Sequence, residues 1–188
     1  MKLHTNLLSY FFLAALFIFS SCQDEEEEPS RRDMLIGTWE IQSGELADYS
    51  ATTEFGVITR DNIQTIALVL PEAGEIAEAM EEGADVLFPS GTVITFNEDN
   101  SFALNDQEGV TNGTWALSDD EKTITVQAPN DLGSNQLDFS IASLTEQQID
   151  IALQIDENDV NLENFGVENL PLEIESFTID YNFSFIKQ

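Results

Sequence analysis

From Leu35 onward the chain alternates between apolar and polar positions. Trp39 and Ile41 fall on one side of an extended backbone, with Thr38, Glu40 and Gln42 on the other. Ile94 and Phe96 lead into Asn97-Glu98-Asp99-Asn100, after which come Phe102 and Leu104. Trp115 and Leu117 precede Ser118-Asp119-Asp120-Glu121, followed by Ile124 and Val126. Leu137, Phe139 and Ile141 precede Thr145-Glu146-Gln147, followed by Ile149, Ile151, Leu153 and Ile155. Near the end, Phe177, Ile179, Tyr181, Phe183 and Phe185 alternate with Thr178, Asp180, Asn182 and Ser184. A period of two broken by short polar turns predicts antiparallel strands joined as sequential hairpins. Each strand has one dry and one wet face. Counting Thr38–Ser43 as the first, the pattern predicts about eight strands.

Two stretches interrupt the alternation. Residues 44–90 are too long for a hairpin. Within them, Pro71 to Glu82 reads as a helix with Pro in its first turn and Ala73, Ile76, Ala77 and Met80 on one face. Gly83 is expected to stop it. Val57–Ile58 and Ile63–Leu70 fit either extra strand or a second helix. Residues 156–171 form the other excursion, rich in Asp, Glu and Asn.

Ahead of the alternating region the pattern changes character. Met1-Lys2 is followed by an apolar run from Leu7 to Phe19, shorter than the ~20 residues of a membrane span. A charged start, a short apolar run and small residues at its end mark a secretory signal. Ser20-Ser21-Cys22 resembles the bacterial lipobox, with Phe19 where Leu is usual. That resemblance implies acylation of Cys22 and a mature chain that starts there. An ordinary signal peptide with a free thiol and an uncleaved anchor are the alternatives. The expected organisation is a signal peptide over 1–21, an acidic disordered tether over 22–33 and one domain over 34–188. Asp24 and four consecutive glutamates follow the cysteine and can bury nothing. An acidic run at that place also resembles the surface-export signal of Bacteroidetes lipoproteins. The expected location is therefore the cell envelope, as an outer-membrane lipoprotein facing either the periplasm or the exterior.

Composition then excludes several functions. The 188-residue chain holds one histidine, His4, and one cysteine, Cys22. Loss of the leader and acylation of Cys22 would leave no imidazole for Ser-His or Cys-His catalysis. They would also leave no His or Cys for a zinc site, and no disulfide. The net charge is −30 with 36 acidic residues, so a basic groove for nucleic acid is not available. The same charge is expected to make the fold weaker at very low ionic strength, where repulsion is least screened.

Gly37-Thr38-Trp39 opens the first strand, and Gly113-Thr114-Trp115 is expected to open another. With Leu35-Ile36 ahead of the first triplet, Thr95 through Phe102, and Ile141 through Ile151, these segments resemble the lipocalin-like domains of Bacteroidetes lipoproteins. The resemblance covers most of residues 35–155. It implies an all-β, antiparallel up-and-down barrel of about eight strands, closed on itself, with a helical insertion after the first strand. Gly37, Trp39, Gly113 and Trp115 are its barrel signature. The link after the first strand, residues 44–90 here, would cover the barrel mouth. Ligand-carrying lipocalins place an Arg from near the last strand over the first-strand Trp. In this chain the only base there is Lys187.

An eight-stranded barrel is just wide enough to be filled by side chains or to hold one small ligand. Phe96, Phe102, Phe139, Tyr181 and Phe183 are the expected pocket residues if a cavity exists. The Tyr181 hydroxyl is the one polar anchor among the inward positions, and a buried tyrosine usually finds an internal partner. The loop from Asp156 to Asn164 offers hard oxygen ligands suited to Ca²⁺. It lacks the Asp-x-Asp-x-Asp-Gly spacing and reads as solvated, so no metal and no cofactor are expected. Paired carboxylates can drive glycoside hydrolysis, but no spacing singles out a pair, so no catalytic residue and no enzyme activity are expected. Asn112 and Asn182 sit in glycosylation sequons that a bacterial lipoprotein gives little reason to use. The function expected is a membrane-anchored module binding a small apolar ligand or an envelope protein partner. A solid-core structural or protein-interaction barrel with no ligand is the alternative, and a carboxylate-dependent hydrolase ranks third.

Overall fold

The computed structural model describes residues 29–128, 136–159 and 173–188. The signal peptide, Cys22 and the acidic run lie outside the described residues. Nine strands form one sheet: β1 Gly37–Thr53, β2 Gly56–Thr59, β3 Val93–Phe96, β4 Ser101–Asn105, β5 Val110–Leu117, β6 Thr123–Gln127, β7 Gln136–Leu144, β8 Gln148–Asp156 and β9 Ile174–Lys187. Their order is β2-β1-β3-β4-β5-β6-β7-β8-β9, and β1 also pairs with β9. Eight of them therefore close into an antiparallel barrel, and β2 is a short hairpin strand folded back on the far end of β1. Closure pairs the first and last strands, and an unpaired edge is left along the middle of β1. The strands are those the alternation predicts, because a half-buried strand writes its two faces directly into sequence.

β1 is much longer than the expected Thr38–Ser43. It pairs with β9 from Trp39 to Thr53, bending at register shifts between Ile41 and Ser43 and between Leu46 and Asp48. On its other side it pairs with β3 only over Gly37–Glu40 and with β2 only over Ser50–Thr53. The stretch between has no strand partner on that side. Its carbonyls need other donors, and Arg60 Nη1 supplies them to Leu46 and Ala47 at 2.9 and 2.8 Å.

Among the described residues three helices accompany the sheet: α1 Arg31–Leu35, α2 Ile63–Ala67 and α3 Glu72–Leu87. Residues 31–33, expected in the tether, are helical. Ser30 caps the Asp33 N–H at 3.1 Å, and Asp33 accepts in return from Ser30. This reciprocal cap satisfies donors that would otherwise be orphaned. Of the two ambiguous stretches, Val57–Ile58 belongs to β2 and Ile63–Ala67 to α2.

The helical insertion follows the first strand as expected, but α3 does not stop at Gly83. It runs on to Leu87, and Gly83 and Ala84 are buried against the barrel. A mid-helix glycine costs roughly 1 kcal/mol relative to alanine, which the burial of this small face offsets. The other described α3 residues in the hydrophobic core are Ala73, Ala77, Met80 and Leu87. Among the described residues no helix is long and apolar enough to cross a membrane.

The two ends of the barrel differ. At one end lie α1, the turns 97–100, 118–122 and 145–147, and the chain terminus. At the other lie the insertion, the turn 106–109 and the ends of β6 and β8 at Gln127 and Asp156.

Candidate functional site

The end beside α1 is shut. Trp39 is 1 % exposed and donates its indole N–H to the Leu35 carbonyl at 2.7 Å. Trp115, also buried, donates to the Asn97 carbonyl at 3.1 Å and meets the Phe96 ring edge-on, centroids 5.3 Å apart. Each tryptophan lies under a cation: Lys187 Nζ is 5.1 Å from the Trp39 ring centre, and the Arg32 guanidinium is 4.7 Å from that of Trp115. Lys187 also donates to the Met34 carbonyl, and Arg32 to the Glu98 carbonyl and Asn100 Oδ1.

The two signature glycines act differently from each other. Gly37 has φ +136°, and a Cβ there would come within 2.6 Å of the Lys187 stem. Gly113 does not open its strand. β5 begins at Val110, and Gly113 sits inside it where a Cβ would collide with the Gln127 carbonyl and lie 2.5 Å from the Phe102 ring. Close approach of β6 and Phe102 to the backbone is what requires glycine there.

Above this floor the barrel is hollow. A cavity of about 550 Å³ is walled by Phe96, Phe102, Ile124, Phe139, Ile151 and Leu153, with Trp39 and Phe185 at its base. The last turn of α3 and the residues after it, Val86 to Pro89, form one side. Phe88 enters the lumen and stacks edge-on against Phe183 and Phe185, at 4.8 and 5.5 Å between centroids. At the outer rim the lining turns polar, with Asp106, Glu108 and Thr111. Small-molecule sites are generally clefts of about 300–1,000 Å³ with apolar walls and a few polar groups.

Of the five expected pocket residues, Phe96, Phe102 and Phe139 line this cavity, and Tyr181 and Phe183 do not. Both of these lie on the part of β9 that α3 covers. Tyr181 is fully buried and donates its hydroxyl to the Met80 carbonyl at 2.8 Å, which fixes the helix against the strand. Burial pushes its pKa well above the usual phenol value. Tyr49, on β1, is likewise raised by burial and by the nearby Glu81 carboxylate, with Arg60 opposing. Both phenols are neutral at ordinary pH. Alternation predicts which side chains point inward; it does not say which of those a helix will cover.

Among the described residues no group of three His, Cys, Asp or Glu side chains could hold a metal ion. Most of the acidic loop expected to suit calcium lies outside the described residues. Its described carboxylates accept from backbone N–H groups: Asp156 Oδ1 from Asn158, Asp159 Oδ2 from Asp156 and Glu157 Oε2 from Phe177.

The chain is thus a closed up-and-down β-barrel with an aromatic floor and an internal apolar cavity. No protein-family model matches it, and no curated protein does. A solved structure of a DUF4847 family protein from Bacteroides vulgatus is similar over 80 % of this chain and 94 % of that one. The two are 15 % identical and superpose with a TM-score of 0.30, a likeness that adds nothing to the topology above.

Proposed function

We propose that this protein is a non-catalytic envelope module that binds one small apolar molecule inside its barrel. The observation that carries this reading is the cavity of about 550 Å³, apolar in depth and polar only at its rim. The test is uptake of the neutral fluorophore N-phenylnaphthylamine by the processed chain carrying Cys22→Ser. Fluorescence should rise saturably. Leu104→Trp, which fills the upper cavity, should abolish the rise. Equal uptake by that variant would mean the dye sits elsewhere and would overturn the reading.

Acylation at Cys22 fits the polarity of the barrel. α1 begins at Arg31 on the shut end, and the eight residues between Cys22 and Arg31 can span at most about 28 Å when extended. The shut end also carries Arg31, Arg32, Lys122 and Lys187 and would face the membrane, with the cavity mouth turned away. Cys22→Ser should move the protein from the membrane to the soluble fraction. Continued membrane retention would remove the lipid anchor from the proposal.

One observation favours a second reading, an interaction barrel. Phe55, Leu68 and Val69 in the insertion are 77, 82 and 84 % exposed. Co-purification of an envelope protein, lost on changing these three to Ser, would support it.

A further inference from the structure

If the cavity binds a small molecule, as proposed above, the charge at its mouth restricts which one. We propose that the site selects amphiphiles with an apolar tail and a cationic, amine-type head, and rejects carboxylate-headed molecules of the same length such as fatty acids. This inference rests on the binding reading and narrows it.

Three observations carry it. Asp106 and Glu108 are the only charged side chains lining the cavity among the described residues. Asp106 is held in place because its Oδ1 accepts the N–H groups of Glu108 and Gly109 at 2.8 and 3.1 Å. Its other oxygen accepts from no described residue. A tail buried against Phe102 and Phe139 would leave its head between these two carboxylates, where a like charge is repelled and an opposite one attracted.

The second observation is α3. Its last turn lines the same cavity and contains no basic residue. The negative end of a helix favours cations within about one turn, and here no side chain neutralises it.

The third is the distribution of bases. Among the described residues that join strands at the open end, every charged one is acidic except Arg60. Arg60 is already engaged by the Leu46 and Ala47 carbonyls on the unpaired side of β1. Arg32, Lys122 and Lys187 belong to the opposite end. A carboxylate head therefore meets no counter-charge at this mouth.

The test is displacement of bound N-phenylnaphthylamine from the Cys22→Ser processed chain, which retains every element of the closed barrel, by dodecylammonium and by dodecanoate. At low salt dodecylammonium should displace the dye at roughly tenfold lower concentration, the scale of one or two partly screened charge contacts. The ratio should shrink at about 0.3 M salt. It should also fall towards one in Asp106→Asn/Glu108→Gln. Val110→Lys, which places a base at an exposed position (62 %) beside Thr111, should shift it the same way without touching either acid. Equal or stronger displacement by dodecanoate overturns the inference and leaves the cavity reading standing. A preference unchanged in both variants does the same, because it would then come from the charge of the whole protein and not from the mouth. No dye uptake by the parent protein overturns both.

Discussion

The Lys187 ammonium stands 5.1 Å from the centre of the Trp39 ring, and its stem crosses the face of Gly37. Two distant parts of the chain meet there: the end of β9, and the junction of α1 with the start of β1, the former reaching the latter through the Met34 carbonyl. Arg32 repeats the arrangement over Trp115. The shut end is therefore a pair of indoles, each held by a backbone carbonyl in its plane and by a cation on its face.

Lys187→Met keeps the stem and removes the charge. It should lower stability by about 1 kcal/mol, the range of a partly desolvated cation–π contact, while Lys187→Arg should stay close to the parent. Trp39→Ala should cost about 3–5 kcal/mol as a large aromatic leaves the core. Urea melts compare all three. A Trp39→Ala loss below about 1 kcal/mol would show that this ring does not seal the barrel.

Gly113→Ala should destabilise by more than about 1 kcal/mol, because its Cβ has no room beside the Gln127 carbonyl and an alanine cannot adapt. Hydrogen exchange should report the damage first at the β5–β6 pairing. Gly74, without a positive φ and with only an ordinary 3.8 Å contact to Ala67 for an added Cβ, is the control for proximity.

Phe88→Ala should enlarge the cavity and loosen the end of α3 at once. The expected loss is about 3–5 kcal/mol, with uptake of a bulkier apolar dye than the parent accepts. Tyr181→Phe removes only the hydroxyl that holds Met80, and should cost about 0.5–1.5 kcal/mol without changing the cavity. Parallel melts and dye titrations separate the two effects. If Tyr181→Phe alters uptake as much as Phe88→Ala, the cavity extends under the helix.

Asp150 carries a pH prediction. It accepts from Ser143 Oγ at 2.6 Å and Gln148 Nε2 at 2.9 Å, in a ladder with Ser184 across β7, β8 and β9. The Ser143 hydrogen bond, then those from Gln148 and Ser184, hold its pKa below the ordinary aspartate value. Its contribution is therefore present above about pH 4, the unfolded value, and is lost as pH falls through the lower folded one. Asp150→Asn should be destabilised by less than about 1 kcal/mol at pH 7, since the group is solvent-screened. That gap should close as the pH falls through the lowered folded value. A gap constant from neutral to acid pH would show that the ladder does not depend on the charge.

The strands were legible because each pays its hydrophobic residues into one face with a period of two. Phe177 to Phe185 is the plainest case, five inward residues in β9 that are all buried. The extension of β1 was harder to read. Gly44 and Leu46 fall out of step with Trp39 and Ile41 and Tyr49 falls back into it, as the register shifts with β9 at Ile41/Ser43 and Leu46/Asp48 require. The Ser30-Arg31-Arg32-Asp33 cap was readable as a helix start and is overshadowed by the glutamates before it. The end of α3 was not readable, because Gly83 is a stop signal in isolation and here is a buried position inside the helix.

The cavity belongs to the same divide. Local alternation names Phe96, Phe102, Phe139, Tyr181 and Phe183 as inward, and all five are buried. Whether inward residues meet each other, a helix or an empty space depends on how far α3 enters the barrel, and that is a property of non-adjacent elements. Composition and hydrophobic rhythm were enough to specify strands, hairpins and an acidic surface, because those follow from neighbours along the chain. The hollow lumen, the acids gathered at one mouth and the cations stacked on both tryptophans arise only on closure, when β9 comes back beside β1 and joins residues about 150 positions apart.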